Sequence, residues 1–182
     1  LTINTTNVQA AAAGLTVTGG SANDVITLAG KATVVGGAGN DTITTAAAGG
    51  TLTGGAGNDK FDVAASVATG NTAATAVNVT ITDFAVGDSV KLLAGNTLAG
   101  ATLGAKTTLT AAVTTLDGAL QLAALTDTAN EVSWFTYGTD TYIVANDGTA
   151  GLGAGDLVVK LTGVLDLSGS TLDTATDYLT FA

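Results

Sequence analysis

GGAGNDTIT at residues 36–44 returns as GGAGNDKFD at 54–62, eighteen residues later, and a looser copy, GGSANDVIT, begins at Gly19. Each copy reads Gly-Gly-x-Gly-x-Asp-x-apolar-x, with Ala22 in place of the third glycine in the first. Between the copies lie AGKATVV and AAAGGTLT, small-residue turns that lead into short β-prone runs. The unit is therefore turn, strand, turn, strand. Two places after each Asp stands an apolar residue, Ile26, Ile43 or Phe61, which opens a strand and points inward. Leu15, Val17, Val34 and Leu52 do the same from the opposite strands.

The loops suit a hard cation. Glycine reaches positive φ freely, so a glycine-rich turn can aim its carbonyl oxygens at one point. The Asp adds a charged oxygen, and Ca²⁺ takes six to eight such oxygens at about 2.3–2.6 Å. If the chain winds once per eighteen residues, Asp24, Asp41 and Asp59 stack at the strand spacing of about 4.8 Å. Two such charges repel by about 3 kcal/mol at an effective dielectric near 20. A divalent ion between loops turns that repulsion into a clamp. A thin core of single aliphatic side chains cannot offset the ordering entropy of so many glycines, so the wound segment is expected to need calcium to fold. The intervening turns, 29–33 and 46–50, hold no carboxylate. One column is expected, with three loops enclosing two sites. Gly-Asn-Asp is also ordinary turn chemistry; two identical hexapeptides and a third near-copy in register weigh against that plainer reading.

The nonapeptide resembles the RTX, or hemolysin-type, calcium-binding repeat. That resemblance implies a mainly β fold, a right-handed parallel β-roll followed by a β-rich C-terminal region with one amphipathic helix. It also implies which backbone oxygens join Asp24, Asp41 and Asp59 on calcium: those of Gly19, Ser21, Gly37 and Gly39 for one ion, and of Gly36, Ala38, Gly55 and Gly57 for the other. Further on, WFTYGTDTYIVANDG at 134–148, DLVVKLTG at 156–163, and Asp177 followed by Tyr178, Leu179, Thr180 and Phe181 together resemble the C-terminal regions of Gram-negative RTX proteins, above all bacterial surface-layer proteins. That likeness implies a type I secretion signal within 157–182, read by an ABC transporter. It further implies folding outside the cell on meeting calcium, a secreted, cell-surface location, and self-association into a lattice.

Composition agrees. The chain has no Cys, Met, His or Pro, 25 Gly, and 5 Lys plus Arg against 15 Asp plus Glu. Without cysteine, an extracellular chain must find stability elsewhere, and bound metal is the natural substitute. A net charge of −10 argues against nucleic acid as a partner and against basic docking on anionic lipid. No apolar run approaches eighteen residues, so no transmembrane segment is expected. The first residue is Leu1 with no basic leader behind it, which suggests a fragment or processed product; 1–7 and 10–14, with Asn4 and Asn7 but no Asp, read as an earlier, degenerate turn without calcium. Catalysis is not expected. There is neither His nor Cys, and Ser21, Ser66, Ser89, Ser133, Ser168 and Ser170 sit in no G-x-S-x-G or S-x-x-K setting.

Beyond the repeats, 64–76 reads as a loop. AVNVTITDF at 76–84 alternates, with Val77, Val79 and Ile81 expected on one face. DFAVGD at 83–88 resembles the segment that closes β-rolls, although its spacing is one shorter and Lys91 stands where Asp is usual; Asp83 and Asp88 are secondary metal candidates beside a plain strand-turn-strand reading. Leu109, Val113, Leu116, Leu120 and Ala123 predict an amphipathic helix over 109–125, capped by Thr108 or Thr110, with Gly118 costing it about 1 kcal/mol. EVSWFTY and TYIV predict a hairpin around Gly138, Thr139 and Asp140, with a third strand at 157–161. In 146–156, Asp147 and Asp156 bracket four glycines, a possible calcium loop without EF-hand spacing. The division expected is 1–93 for the roll and its closing strands and 94–182 for the rest. Three functions fit these features. The leading one is a calcium-dependent structural and self-assembly module of a secreted surface-layer protein. The others are the export and folding domain of a secreted protease or lipase, and the terminal part of an adhesin.

Overall fold

A computed structural model describes residues 2–4, 14–66, 72, 76–92, 102–125, 132–147 and 151–182. The protein is mainly β, and its first nine strands are dealt alternately to two sheets. β1 (Thr2–Asn4), β3 (Val25–Thr27), β5 (Thr42–Thr44), β7 (Lys60–Asp62) and β9 (Ser89–Lys91) lie side by side and parallel in one. β2 (Thr16–Gly20), β4 (Ala32–Ala38), β6 (Gly50–Ala56) and β8 (Val77–Ile81) do the same in the other. That second sheet continues from β8 into β13 (Leu157–Thr162), β12 (Asp140–Ala145), β11 (Val132–Tyr137) and β10 (Leu103–Lys106). The first continues antiparallel from β9 into β15 (Tyr178–Thr180) and then the edge strand β14 (Thr171–Asp173). Strands from either side of residue 93 are thus hydrogen-bonded within both sheets. Thr2–Asn4, read from sequence as part of an earlier, degenerate turn, is a short strand that extends the first sheet beyond β3; 5–13 lie outside the described residues.

The core is two facing ladders of aliphatic side chains. In one sheet Ile26, Ile43, Phe61, Val90 and Leu179 are register partners in turn, and all are buried. In the other, Val17, Val34, Leu52, Ile81 and Leu161 are. A second row grows along the sheet, from Ala32 and Gly50 through Val79, Val159 and Ile143 to Trp134, filling the space beneath the hairpin. The pattern follows from the period-two alternation of a strand, in which every second residue faces the partner sheet. Winding brings identical motif positions together without long-range design.

Three details depart from the sequence reading. The repeat is not uniformly eighteen: Gly20 pairs with Gly37 at seventeen residues and Gly37 with Gly55 at eighteen. The extra residue is absorbed in the turn at 46–49, closed by Gly49 at φ +70° with its N–H donating to Ala46 O at 2.9 Å. Val77 does not share a face with Val79 and Ile81. Val158 and Val159 pair with Val77 and Val79, so Asn78 is an inserted bulge residue that turns Val77 to the opposite, helix-facing side. The helix, α1 (Leu116–Leu125), starts later than 109. Thr115 caps it, its Oγ1 accepting the Gly118 N–H at 3.1 Å, and Asp117 suits the positive first turn. Leu109 and Val113 still pack with Leu120 and Ala123 against Phe135 and Val144, but from a turn ahead of the helix.

The hairpin forms as read, with Tyr137 opposite Asp140 across Gly138 and Thr139, Gly138 at φ +63°. Residues 67–71 and 73–75 of the expected loop, and 148–150 of the 146–156 loop, lie outside the described residues. Among the described residues no helix is long and apolar enough to cross a membrane, which says nothing of strands.

Candidate metal centre

Asp24, Asp41 and Asp59 each stand just before a strand of the first sheet, with side chains turned inward; they are 2%, 1% and 1% exposed. They form a ladder. Asp41 Oδ1 accepts the Asp24 N–H at 2.8 Å, Asp59 Oδ1 accepts the Asp41 N–H at 2.8 Å, and Asp88 Oδ1 accepts the Asp59 N–H at 2.8 Å. A second ladder runs the other way beside it: Asn23 Oδ1 accepts the Asn40 N–H at 2.8 Å, and Asn40 Oδ1 the Asn58 N–H at 2.9 Å. The three Asn-Asp loops are therefore tied one to the next by one carboxylate and one carboxamide, and the last of them to Asp88 by a carboxylate alone. The local reason is the motif itself, which places Asn and Asp where a turn leaves backbone N–H groups without strand partners.

What these bonds leave over defines the site. Among the described residues, the buried Oδ2 atoms of Asp41 and Asp59 have no hydrogen-bond partner. An orphaned buried polar atom costs about 1–3 kcal/mol, more when charged. A Cβ built on Gly36 would collide with both Asp41 Oδ2 and the Gly54 carbonyl oxygen; one on Gly19 would meet Asp24 Oδ2 and the Gly36 carbonyl; one on Gly54 would meet Asp59 Oδ2. Carboxylate oxygen and the following loop's carbonyl oxygen thus share a cradle that exists only because the residue there has no side chain. Gly37 and Gly55, at φ +119° and +106°, stand where a Cβ would overlap the Gly20 and Gly37 carbonyl oxygens, so the loops approach this closely only because those positions lack a side chain.

Among the described residues no three Asp, Glu, His or Cys side chains converge. The donor set is instead one carboxylate per loop with backbone carbonyls, hard oxygen without nitrogen or sulfur, which fits Ca²⁺ and not a thiophilic metal. Of the residues named from sequence, Asp24, Asp41, Asp59, Gly19 and Gly36 come together in these cradles, with Gly37, Gly39, Gly55 and Gly57 forming the close loop-to-loop contacts. Ser21 and Ala38 lie on the exposed shoulder of the same loops. Gly54 was missed. Its carbonyl oxygen and Asp41 Oδ2 both border the space a Gly36 side chain would fill, and the signal was present, since Gly54 holds the motif position of Gly19 and Gly36.

The column ends in hydrogen bonds. Asp83 accepts the Gly54 N–H at 2.9 Å on one oxygen and the Gly55 N–H at 2.8 Å on the other. Asp88 gives its second oxygen to the Ala85 N–H at 2.9 Å. Both close the last loop with backbone donors. Burial, then the neighbouring Asp88, Asp41 and Asp83 charges, raises the Asp59 pKa against its hydrogen bond from Asp41; burial likewise raises that of Asp88. In the 146–156 loop, Asp156 is buried and accepts the Asp147 N–H at 2.8 Å and the Gly153 N–H at 2.7 Å, a turn closed by its own carboxylate.

Two of the serines weighed as nucleophiles are structural acceptors and donors. The Ser66 hydroxyl bonds Thr45 Oγ1 at 2.7 Å and Ala46 O at 2.8 Å, and Ser133 donates to Ala123 O at 3.1 Å. Compared with known proteins, the chain matches no protein-family model and no curated protein.

Proposed function

We propose that the chain is a calcium-dependent structural module of a secreted bacterial surface-layer protein, built on a right-handed parallel β-roll. The observation that carries the calcium part is the pair of buried, unpartnered Oδ2 atoms of Asp41 and Asp59, set beside glycines that keep the space open. Asp24, Asp41 and Asp59, with the carbonyls of Gly36 and Gly54, would hold the ions. A bound Ca²⁺ supplies positive charge between loops whose carboxylates otherwise repel. The surface-layer and export parts draw support from the resemblance of 134–182 to type I-secreted proteins. Leu179 is fully buried beside Val90, so the tail that resembles an export signal is a strand of the finished sheet. A transporter would have to read it before folding. Edge strands such as β14 offer unpaired backbone to neighbouring copies.

Circular dichroism and size-exclusion chromatography in millimolar calcium, then in excess chelator, test this reading. A folded, assembling β protein is expected in the first and an expanded monomer in the second. Identical spectra and elution in both would overturn it.

A further inference from the structure

The outer face of the first sheet carries a groove of about 480 Å³ along the ridge of the Asn-Asp loops. Its floor is one register row: Thr42 pairs with Lys60, Lys60 with Ser89, and Ser89 with Thr180, so the four side chains stand on one face across β5, β7, β9 and β15. At the strand spacing they span about 14 Å. Asn40 and Asn58 form the adjoining wall. The notch itself comes from Gly87, which occupies the rung after Asn58, as Asp88 follows Asp59, and has no side chain to continue the carboxamide ladder. A Cβ at Gly87 would collide with Asn58 Oδ1.

These polar groups are not spent on the protein. Among the described residues the side chains of Thr42, Asn58, Lys60, Ser89 and Thr180 form no hydrogen bond or ion pair, although Ser89 is only 6% exposed. Lys91 and Lys160, by contrast, pair with Asp62 at 3.8 Å and Asp140 at 2.8 Å. The Asn40 Oδ1 atom is committed to the Asn58 N–H, which leaves its NH₂ to face outward as a donor.

We propose that this groove binds an uncharged saccharide chain. Hydroxyls and a carboxamide that both donate and accept, with an ammonium and an NH₂ that donate, complement the paired donor-acceptor character of sugar hydroxyls. The lining has no aromatic or large apolar side chain, so the ligand must be hydroxyl-rich throughout. A chain of net charge −10, with Asp41 also lining the groove, disfavours an anionic ligand. Recognition by hydrogen bonds alone predicts weak binding per site, raised by avidity where copies assemble.

The groove shares Asp41 with the metal cradle, but the groups that would bind the sugar are ones the cradle does not use, so the proposal does not rest on the calcium reading. The test uses the full chain, folded in calcium, in saturation-transfer NMR with maltotetraose, mannotetraose, chitotetraose and a hyaluronan tetrasaccharide as the anionic comparison. At least one neutral tetrasaccharide should give saturable transfer in the millimolar range. Thr42→Val combined with Lys60→Gln should weaken it at least tenfold, while Thr33→Val on the other sheet leaves it unchanged. Trp134 fluorescence confirms that the variants stay folded; if the double variant unfolds, Asn58→Ala, which removes no ladder bond, takes its place. Absence of transfer from all three neutral sugars overturns the proposal. So does preference for the hyaluronan fragment, or binding that survives the groove variants.

Discussion

Asp41→Asn separates the two roles of the central carboxylate. The substitution keeps Oδ1, and with it the 2.8 Å bond from the Asp24 N–H, but replaces the orphaned Oδ2 by an NH₂ in the cradle that the Gly54 carbonyl oxygen also borders. Without calcium this should stabilise the fold. Each neighbouring Asp repels Asp41 by about 3 kcal/mol at strand spacing and an effective dielectric near 20, much of it relieved by local relaxation. Relief of the unpartnered oxygen adds about 1–3 kcal/mol. A net gain of about 2–4 kcal/mol is expected in chelator. In calcium the sign reverses, because Asp41 would serve the ions above and below, and losing both sites, each at a hundredfold excess over its dissociation constant, removes about 5.4 kcal/mol, more than the gain. Urea unfolding followed by the fluorescence of Trp134, the single tryptophan and 1% exposed, reads both arms. Sucrose in both holds the cation-free protein folded enough to measure. A substitution effect of the same sign with and without calcium would refute the cradle.

Asp41→Ala, which removes the ladder bond as well, should be the most damaging change at the loops; tolerance equal to that of a surface Thr substitution contradicts the column. Gly36→Ala removes no ligand side chain yet fills the cradle, so calcium titrations followed by circular dichroism should show loss of calcium-induced folding. Asp83→Asn should cost about 1–2 kcal/mol by weakening its hold on the Gly54 and Gly55 N–H groups while the number of ions bound, read by equilibrium dialysis, stays the same. A lost ion would show Asp83 to be a ligand. The pH dependence should also invert with calcium. Burial raises the folded-state pKa values of Asp59, Asp88 and Asp156, so their contribution is present below the ordinary carboxylate value of about 4 and is lost as pH rises through the folded values. Chelated protein should gain stability on mild acidification. Asp140, lowered by its hydrogen bond from Lys160, works the other way, but as a surface pair it contributes little. With calcium, protons compete for the same oxygens and acidification should destabilise; denaturation midpoints across pH check both signs.

Much of the arrangement was legible along the chain. The period of the motif placed Ile26, Ile43 and Phe61 on one inner ladder because alternation and φ preference act within a few residues. The Asp column was legible for the same reason. Its partners were not: whether a carboxylate meets an ion or a backbone N–H depends on groups seventeen to thirty residues away. Asp83 and Asp88 share their chemistry with Asp41 and Asp59, yet each has two backbone donors within 3.0 Å, and that difference is purely one of position. Local pattern also failed at Val77, where a bulge set by pairing with β13 overrides alternation, and at 109–115, where Thr115 captures the helix cap.

By itself the sequence determined the winding, the inward apolar ladders and the acidic column, since each is a repeat of short-range preferences. Only the tertiary structure decided the carboxylate and carboxamide ladders, the orphaned Oδ2 atoms, the Gly87 notch and the burial of the tail. Those are relations between loops that meet only once the strands are in register, and register is a property of the assembled sheets.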